Sequence, residues 1–528
     1  MREDQTICRK CAKHHEVEIL SFTPERSLVG PDLALAQSLE ELVRIRVLNI
    51  PITVAPESRD GIFVTRASLS FLSEVDPSQQ RPHTRSNLYD TIMPITYHIV
   101  KNGEVQREVN GANFPVIVKS VGQINAPLRP TECPALSPSG VVMKLLQEDS
   151  IGGNQKQAYQ KSPFLLLGSD DWQIMEKIQG ETLGEALEQI NQTIASNQVS
   201  GRSVDDEVAF LIDTLRKSFE MDAELVMHMT LHQDKIPLVD GRGDLLDPGR
   251  EKDHLKTLLW GDPTEHGEQG YIPIMLERAK RYGLIPEGKC TELLLYSDRI
   301  MDTKGMRKVK RIINQTSRRR DHRHRVLPHG DLEPGNILIG YETSPIWPGL
   351  GWHKAQDKIY RPIDFGRTRY WNLGKDPVSL LSDPAYRALW ELKNAERYGF
   401  KGPRLEFNEA VKKTSQGVPH DYALDEQSEE DWDASLFLHT ASRAAKKMCR
   451  LRNEGLEVSV EETLNRGSSE MKKRLELTRL IHDYSTLFLG ACERLGICGA
   501  YHREFAEIFS QLGKKDEEVL AKLSQPIV

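Results

Sequence analysis

The sequence lacks any long apolar run. Nothing in its 528 residues approaches the ~18 consecutive apolar residues of a membrane-spanning helix, and the longest apolar patches, such as Phe164 to Leu167, are strand-sized. The opening residues, MREDQTICRK, are charged and polar, with no apolar stretch before a small-residue cleavage site, so no secretory leader is expected. Cysteine is scarce and odd in number, 7 in all. That argues against a disulfide framework and for a reduced, cytoplasmic compartment. Cys8-x-x-Cys11 is half a zinc site. No second pair stands at ordinary spacing, and His14 and His15 complete it only with doubtful geometry, so zinc is not expected. Positive charge is not in excess either: 70 basic residues face 77 acidic ones, for a net charge of -7. This excludes a globally basic nucleic-acid binder while leaving local patches open. No fixed-period repeat is found, and 37 Gly and 28 Pro are ordinary usage, which excludes a collagen-like or wholly disordered chain.

What is present is a change of pattern along the chain. Residues 1–90 read as a separate N-terminal region of unknown role, with a helical stretch from Pro31 to Asn49, strand-like segments at 51–55 and 61–72, and a polar linker from Asp76 to Asn87. From Thr96 strands follow. YHIV and VQREV flank Asn102-Gly103, a dipeptide that tolerates the positive φ of a tight hairpin turn. PVIVKS (115–120), VVMKLL (141–146), Phe164 to Leu167 and WQIMEKI (172–178) continue a small, mostly antiparallel sheet. Beyond Thr182 helical spacing dominates, at 183–196, 204–227, 272–283, 289–315 and almost everywhere after Tyr370. Exceptions are a polar segment at about 232–270 and an acidic stretch, Gln416 to Asp433, expected to be a loop or disordered. Sheet first and helices second is the α+β layout of a two-lobed enzyme.

Two short blocks carry chemistry. In VLPHGDLEPGNILI (326–339), His329-Gly330-Asp331 follows an apolar approach, Asn336 stands five residues after the Asp, and an apolar strand follows. In YRPIDFGRTR (360–369), Asp364 ends a short strand ahead of Phe-Gly. Asp331 suits the orientation or deprotonation of a hydroxyl nucleophile. Asn336 and Asp364 are hard oxygen donors for Mg²⁺, which takes few protein ligands where nucleotide phosphates supply the rest.

HGDLEPGNILI followed by IDFG resembles the kinase-like phosphotransferases, in particular the aminoglycoside phosphotransferase and choline kinase branch. MEKIQGETLGEAL (175–187) resembles that branch's hinge, where Met175 and Glu176 lead through Gly into a helix start. The resemblance spans roughly 95–400, but its specific part is three short blocks. It implies a protein-kinase-like bilobal α+β fold, with a sheet-bearing N-lobe and hinge at 91–180, a helical C-lobe with the catalytic loop at 181–400, and a helical C-terminal region at 401–528. It implies an ATP- or GTP- and Mg²⁺-dependent transfer of the γ-phosphoryl group to a hydroxyl of an aminoglycoside-, amino alcohol- or sugar-like small molecule. Asp331 is then the catalytic base, Asn336 and Asp364 the Mg²⁺ ligands, and Met175 and Glu176 lie along the nucleotide. His329 braces the loop.

Such an enzyme also needs a strand lysine for the phosphates, usually held by a helix Glu. Lys119, in VIVK, is the favoured candidate, with Glu148 on the following segment if that is helical. Lys144, in VVMK, is the alternative. No G-x-G-x-x-G lies between the first two strands, and no Ala-Pro-Glu follows DFG. Gly330 and Glu333 replace residues typical of protein kinases, so a small-molecule acceptor is expected ahead of a protein one. A catalytically impaired kinase-like binding protein is the other alternative. The insertion between Asn336 and Asp364 carries Trp347 and Trp352, for hairpin packing or a substrate wall. The basic run 303–325 has no aromatic interleaving for base stacking, so a nucleic-acid partner is not expected.

Overall fold

The computed structural model describes residues 28–47, 61–74, 88–101, 104–120, 138–148, 162–168, 172–232, 259, 270–295, 304–318, 326–341, 359–365, 368, 373–381, 386, 395–418, 423–497 and 503–523. Cys8, Cys11, Trp347, Trp352 and most of 232–270 lie outside them. The chain divides into two compact units: residues 1–189, 232–238 and 334–367 form the first, and 190–231, 239–333 and 368–528 the second.

In the first unit, β1 (Gly61–Arg66), β2 (Leu88–Lys101), β3 (Glu104–Ser120), β4 (Leu165–Gly168) and β5 (Trp172–Glu176) form an antiparallel sheet in the order β1-β2-β3-β5-β4. β2 and β3 pair antiparallel as expected, with Lys101 opposite Glu104, while Asn102 and Gly103 lie outside the described residues. VQREV and PVIVKS are not two strands: both belong to the single 17-residue β3. The sheet also begins earlier than expected. β1 pairs with β2, and α1 (Gly30–Val47) packs Leu35, Ala36, Leu39 and Leu42 into the same apolar cluster as Val64, Tyr89, Met93, Val116, Val118 and Ile174. Asp32 and Glu40 of α1 accept the backbone N–H groups of Leu69 and Val64, at 2.8 and 2.7 Å. The described segments 28–47 and 61–74 thus pack with the sheet.

VVMKLL, open between strand and helix in the sequence, resolves as helix. It lies in α2 (Pro138–Glu148), not in a strand. Val142, Met143 and Leu146 are buried, and that three-to-four-residue spacing is helical. A second, three-stranded antiparallel sheet completes this unit: β6 (Gln179–Thr182), β7 (Ile337–Tyr341) and β8 (Ile359–Pro362) in that order. Gly180 is needed where β6 meets β7, because a Cβ there would stand 1.9 Å from the Ile339 carbonyl oxygen. α3 (Leu183–Val199) starts on a reciprocal cap, in which Glu185 accepts the Thr182 N–H at 2.7 Å and Thr182 Oγ1 accepts the Glu185 N–H at 3.2 Å.

The second unit is helical. It holds α4 (Asp205–Leu231), α5 (Tyr271–Arg281), α6 (Glu287–Leu295), α7 (Lys304–Arg318), α8 (Lys375–Leu380), α9 (Pro403–Thr414), α10 (Glu429–Asn453), α11 (Val460–Arg466), α12 (Ser468–Arg494) and α13 (Arg503–Leu523). Within the helical pattern expected over 289–315, the described residues hold α6 and α7. The acidic stretch expected to be loose ends in the N-terminus of α10: Ser428 caps it by accepting the Asp431 N–H at 3.1 Å, acids fill its first turn and Arg450 and Arg452 its last, which suits the helix dipole. Leu424, Gln427 and Trp432 are buried. Residues after 400 are integral to this unit. Arg216 of α4 grips Glu406 of α9 with two hydrogen bonds, at 2.7 and 2.9 Å, and Phe219 meets Phe407 edge-on at 5.4 Å. Among the described residues, no helix is long and apolar enough to cross a membrane.

Candidate active site

Strand alternation decides where Lys119 points. Val116 and Val118 of β3 face the α1 cluster, so Ile117 and Lys119 face the other way. Lys119 is 6% exposed, and its Nζ lies 2.7 Å from Asp364 Oδ1. A buried ammonium needs a counter-ion, and Asp364 supplies it just after β8. Asp364 has φ 71, a left-handed conformation that Asp enters more readily than most L-residues. The Ile363 N–H donates to the Asn336 backbone oxygen at 2.8 Å, which ties the segment before Asp364 to Asn336. Lys119, Asn336 and Asp364 therefore belong to one compact unit, with the last two on adjoining chain segments.

Lys144, the alternative, is paired elsewhere. It sits on α2, pairs with Glu41 of α1 at 3.3 Å, and lies 5.9 Å above the Phe164 ring. Glu148 is the last residue of α2, and its side chain is outside the described set. The hinge pair splits. Met175 is opposite Ile117 and so shares the face of Lys119. Glu176 is opposite Val116, on the α1 face, and its Oε1 accepts the Phe164 N–H at 3.0 Å. Its carboxylate is engaged in joining β5 to the start of β4.

Asp331 belongs to the second unit. The loop around it explains the His-Gly-Asp order physically. Gly330 has φ 85, a conformation that a side chain would strain, and its N–H donates to Asp376 Oδ1 at 2.9 Å. His329 has no exposed surface. Its Nδ1 accepts the Asp331 N–H at 3.4 Å, and its carbonyl accepts Thr368 Oγ1 at 3.4 Å. Thr230, at the end of α4, accepts the Leu327 N–H at 3.2 Å. Asp376 is wholly buried on α8. Burial pushes its pKa up, against the opposing influence of His329, Lys375 and the loop N–H groups. Asp222 of α4 is also fully buried, and burial together with the Asp376 charge holds its pKa well above the carboxylate range.

Arg443 of α10 stands directly against the loop. Its Nη2 donates to Asp331 Oδ1 at 2.5 Å, and its Nη1 pairs with Glu333. Its side chain is 13% exposed. Burial opposes its charge, but Glu333 and Asp331 more than offset this, so it binds its proton more tightly than usual. Sequence reasoning found neither Arg443 nor Asp376.

The hard-oxygen set of Asn336 and Asp364 fits Mg²⁺ by donor chemistry. No cluster of three or more His, Cys, Asp or Glu capable of holding a metal occurs among the described residues. The basic run is partly paired: Lys308 of α7 meets Glu430 at 2.5 Å, and Arg311 meets the same carboxylate at 3.3 Å.

No protein-family model matches the chain, and no curated protein matches it. Solved structures do. An ethanolamine kinase from Plasmodium vivax is similar over 77% of this chain and 81% of its own, with 12% identity and a TM-score of 0.30. A glucosamine kinase is similar over 88% and 99%, with 10% identity and a TM-score of 0.34. Glucosamine kinase in complex with glucosamine, ADP and inorganic phosphate is similar over 79% and 94%, with 10% identity and a TM-score of 0.33. These structural neighbours are small-molecule kinases. At such low TM-scores, the reading of this chain rests on its own residues.

Proposed function

We propose that this protein is a kinase-like phosphotransferase that moves the γ-phosphoryl group of ATP, with Mg²⁺, to a hydroxyl of a small molecule. The observation that carries this reading is the 2.7 Å pair between Lys119, buried in the sheet, and Asp364, after β8. It joins two residues that the sequence had placed in one site from separate motifs. Lys119 holds nucleotide phosphates, Met175 lines the same face of the sheet, and Asn336 and Asp364 hold Mg²⁺. Bound there, the ion supplies charge neutralisation on the phosphates. Asp331 orients the acceptor hydroxyl and takes its proton, on a loop fixed by Gly330, His329 and Asp376. Phosphoryl transfer asks mainly for positioning and charge stabilisation, and this residue set is of that kind.

The test is nucleotide turnover by purified protein with ATP and Mg²⁺ across a broad hydroxyl panel, beside Asp331→Ala and Asp364→Ala. Turnover by wild type that both variants lose supports the reading. A wild type that neither binds Mg-ATP nor turns it over ends it. One observation favours a second reading, that of a kinase-like binding protein: Arg443 occupies Asp331 Oδ1. Mg-ATP binding without turnover on any acceptor would be its signature.

A further inference from the structure

Arg443 raises a question that the loop does not answer by itself. A guanidinium forks to two carboxylates of one loop, Asp331 and Glu333, and is largely withdrawn from water. A buried guanidinium does not give up its partners without another anion to replace them. Under the phosphotransferase reading, Asp331 has to turn toward an acceptor hydroxyl, and Arg443 then keeps Glu333 on Nη1 and needs a replacement on Nη2. We infer that Arg443 is a specificity-determining residue, and that the acceptor is a hydroxyl compound bearing its own anionic group, a carboxylate or a phosphate ester, which binds Arg443 as Asp331 turns to the hydroxyl.

The surroundings point the same way. His439, one turn before Arg443 on α10, is 7% exposed. Burial holds its pKa well below the usual value, and Arg443, Lys375 and Lys446 push in the same direction, with Asp331 opposing. Arg443, Lys375 and Lys446 thus lie near this end of α10. Arginine's planar fork also matches carboxylate and phosphate geometry with two parallel bonds. An amino alcohol or amino sugar would bring a second cation to the same place.

This inference rests on the phosphotransferase reading for its chemistry but not for its binding arm. The experiment uses the full chain and one sugar scaffold in four forms: glucose, glucosamine, gluconate and glucose 6-phosphate. Ligand-induced shifts in melting temperature are measured without nucleotide, and kcat and KM with Mg-ATP. Gluconate or glucose 6-phosphate stabilises the wild type more than glucose or glucosamine does, and the better of the two names the anion. Where turnover is seen, the anionic form is favoured about tenfold or more in kcat/KM, chiefly through KM. Arg443→Gln abolishes the preference, and Arg443→Lys, which keeps charge without the fork, restores part of it. A merely structural arginine would lower the melting temperature without changing the order of the four ligands. Preference for glucosamine, no discrimination, or an unchanged order in Arg443→Gln overturns the inference. If Mg-ATP neither binds nor turns over, the phosphotransferase reading falls, and the nucleotide-free shifts still decide the anion site.

Discussion

The buried carboxylate of Asp376 accepts the backbone N–H of Gly330 at 2.9 Å, one residue ahead of Asp331. The loop is thereby hung from α8 by a group with no exposed surface. Asp376→Ala leaves that N–H without its acceptor, at a cost of about 1–3 kcal/mol in stability. The loop then drifts, and turnover falls on the order of 100-fold. Asp376→Asn keeps a carbonyl oxygen for Gly330 and loses markedly less. Turnover and urea unfolding of the two variants check this; equal losses would remove the anchoring role.

Asp222 makes stability depend on pH in a defined direction. Neither of its carboxylate oxygens has a hydrogen-bond partner among the described residues, and its pKa is raised well above normal by burial and then by Asp376. Such an acid stays protonated in the folded chain while the unfolded chain ionises. Its contribution is therefore full below the unfolded value of about 3.9 and is lost as pH rises toward the folded value, by up to about 1.4 kcal/mol per unit. Asp222→Asn has no proton to lose, so it gains on wild type as pH rises above the unfolded value of about 3.9. Urea midpoints for both proteins across that range are the measurement, and parallel profiles refute the assignment.

The two lysines weighed in the sequence separate cleanly by mutation. Lys119→Met strips Asp364 of its buried counter-ion and removes the phosphate contact, so Mg-ATP turnover falls by about 100-fold or more. Lys144→Ala breaks a half-exposed pair with Glu41, worth at most about 1 kcal/mol, and leaves turnover within about twofold. Similar losses in both variants would reopen the choice.

Arg278 of α5 and Asp516 of α13 form a fork-to-carboxylate pair, with Nη1 to Oδ2 at 2.8 Å, and each side chain is 2% exposed. Asp516→Ala leaves the guanidinium with only Glu457 at 3.8 Å and the Tyr282 hydroxyl at 3.3 Å and costs about 3–5 kcal/mol, whereas the double change Arg278→Met with Asp516→Leu costs less. Thermal unfolding of the three proteins decides it. A double variant as unstable as the single one would show that packing, not the stranded charge, sets the loss.

Some of this was legible in advance because the signal was local. Asn102-Gly103 between two alternating runs signals the pairing of β2 with β3, and the apolar, polar and glycine positions of VLPHGDLEPGNILI announce a loop before a strand. VVMKLL stayed open between strand and helix because a six-residue apolar run satisfies both periods, and burial of Val142, Met143 and Leu146 settles it only once the neighbours exist. β1 was set apart because nothing local tells an edge strand which partner it will find. Asp376 and Arg443 left no trace. Asp376 opens an ordinary helix, and Arg443 sits mid-helix among alanines and lysines. Each meets the loop across 46 and 112 residues of chain, a relation that no local pattern encodes.

The pairing of Lys119 with Asp364 also fixes an order of events during synthesis. The lysine leaves the ribosome about 250 residues ahead of its counter-ion, which at about 5–20 residues per second is a delay of roughly 12–50 s. Through that interval the hairpin of β2 and β3 can form, but the ammonium has no Asp364 to meet it and must stay hydrated. The far end of β3 can close over its lysine only when β8 arrives, so the first unit cannot finish folding as the chain emerges from its N-terminus.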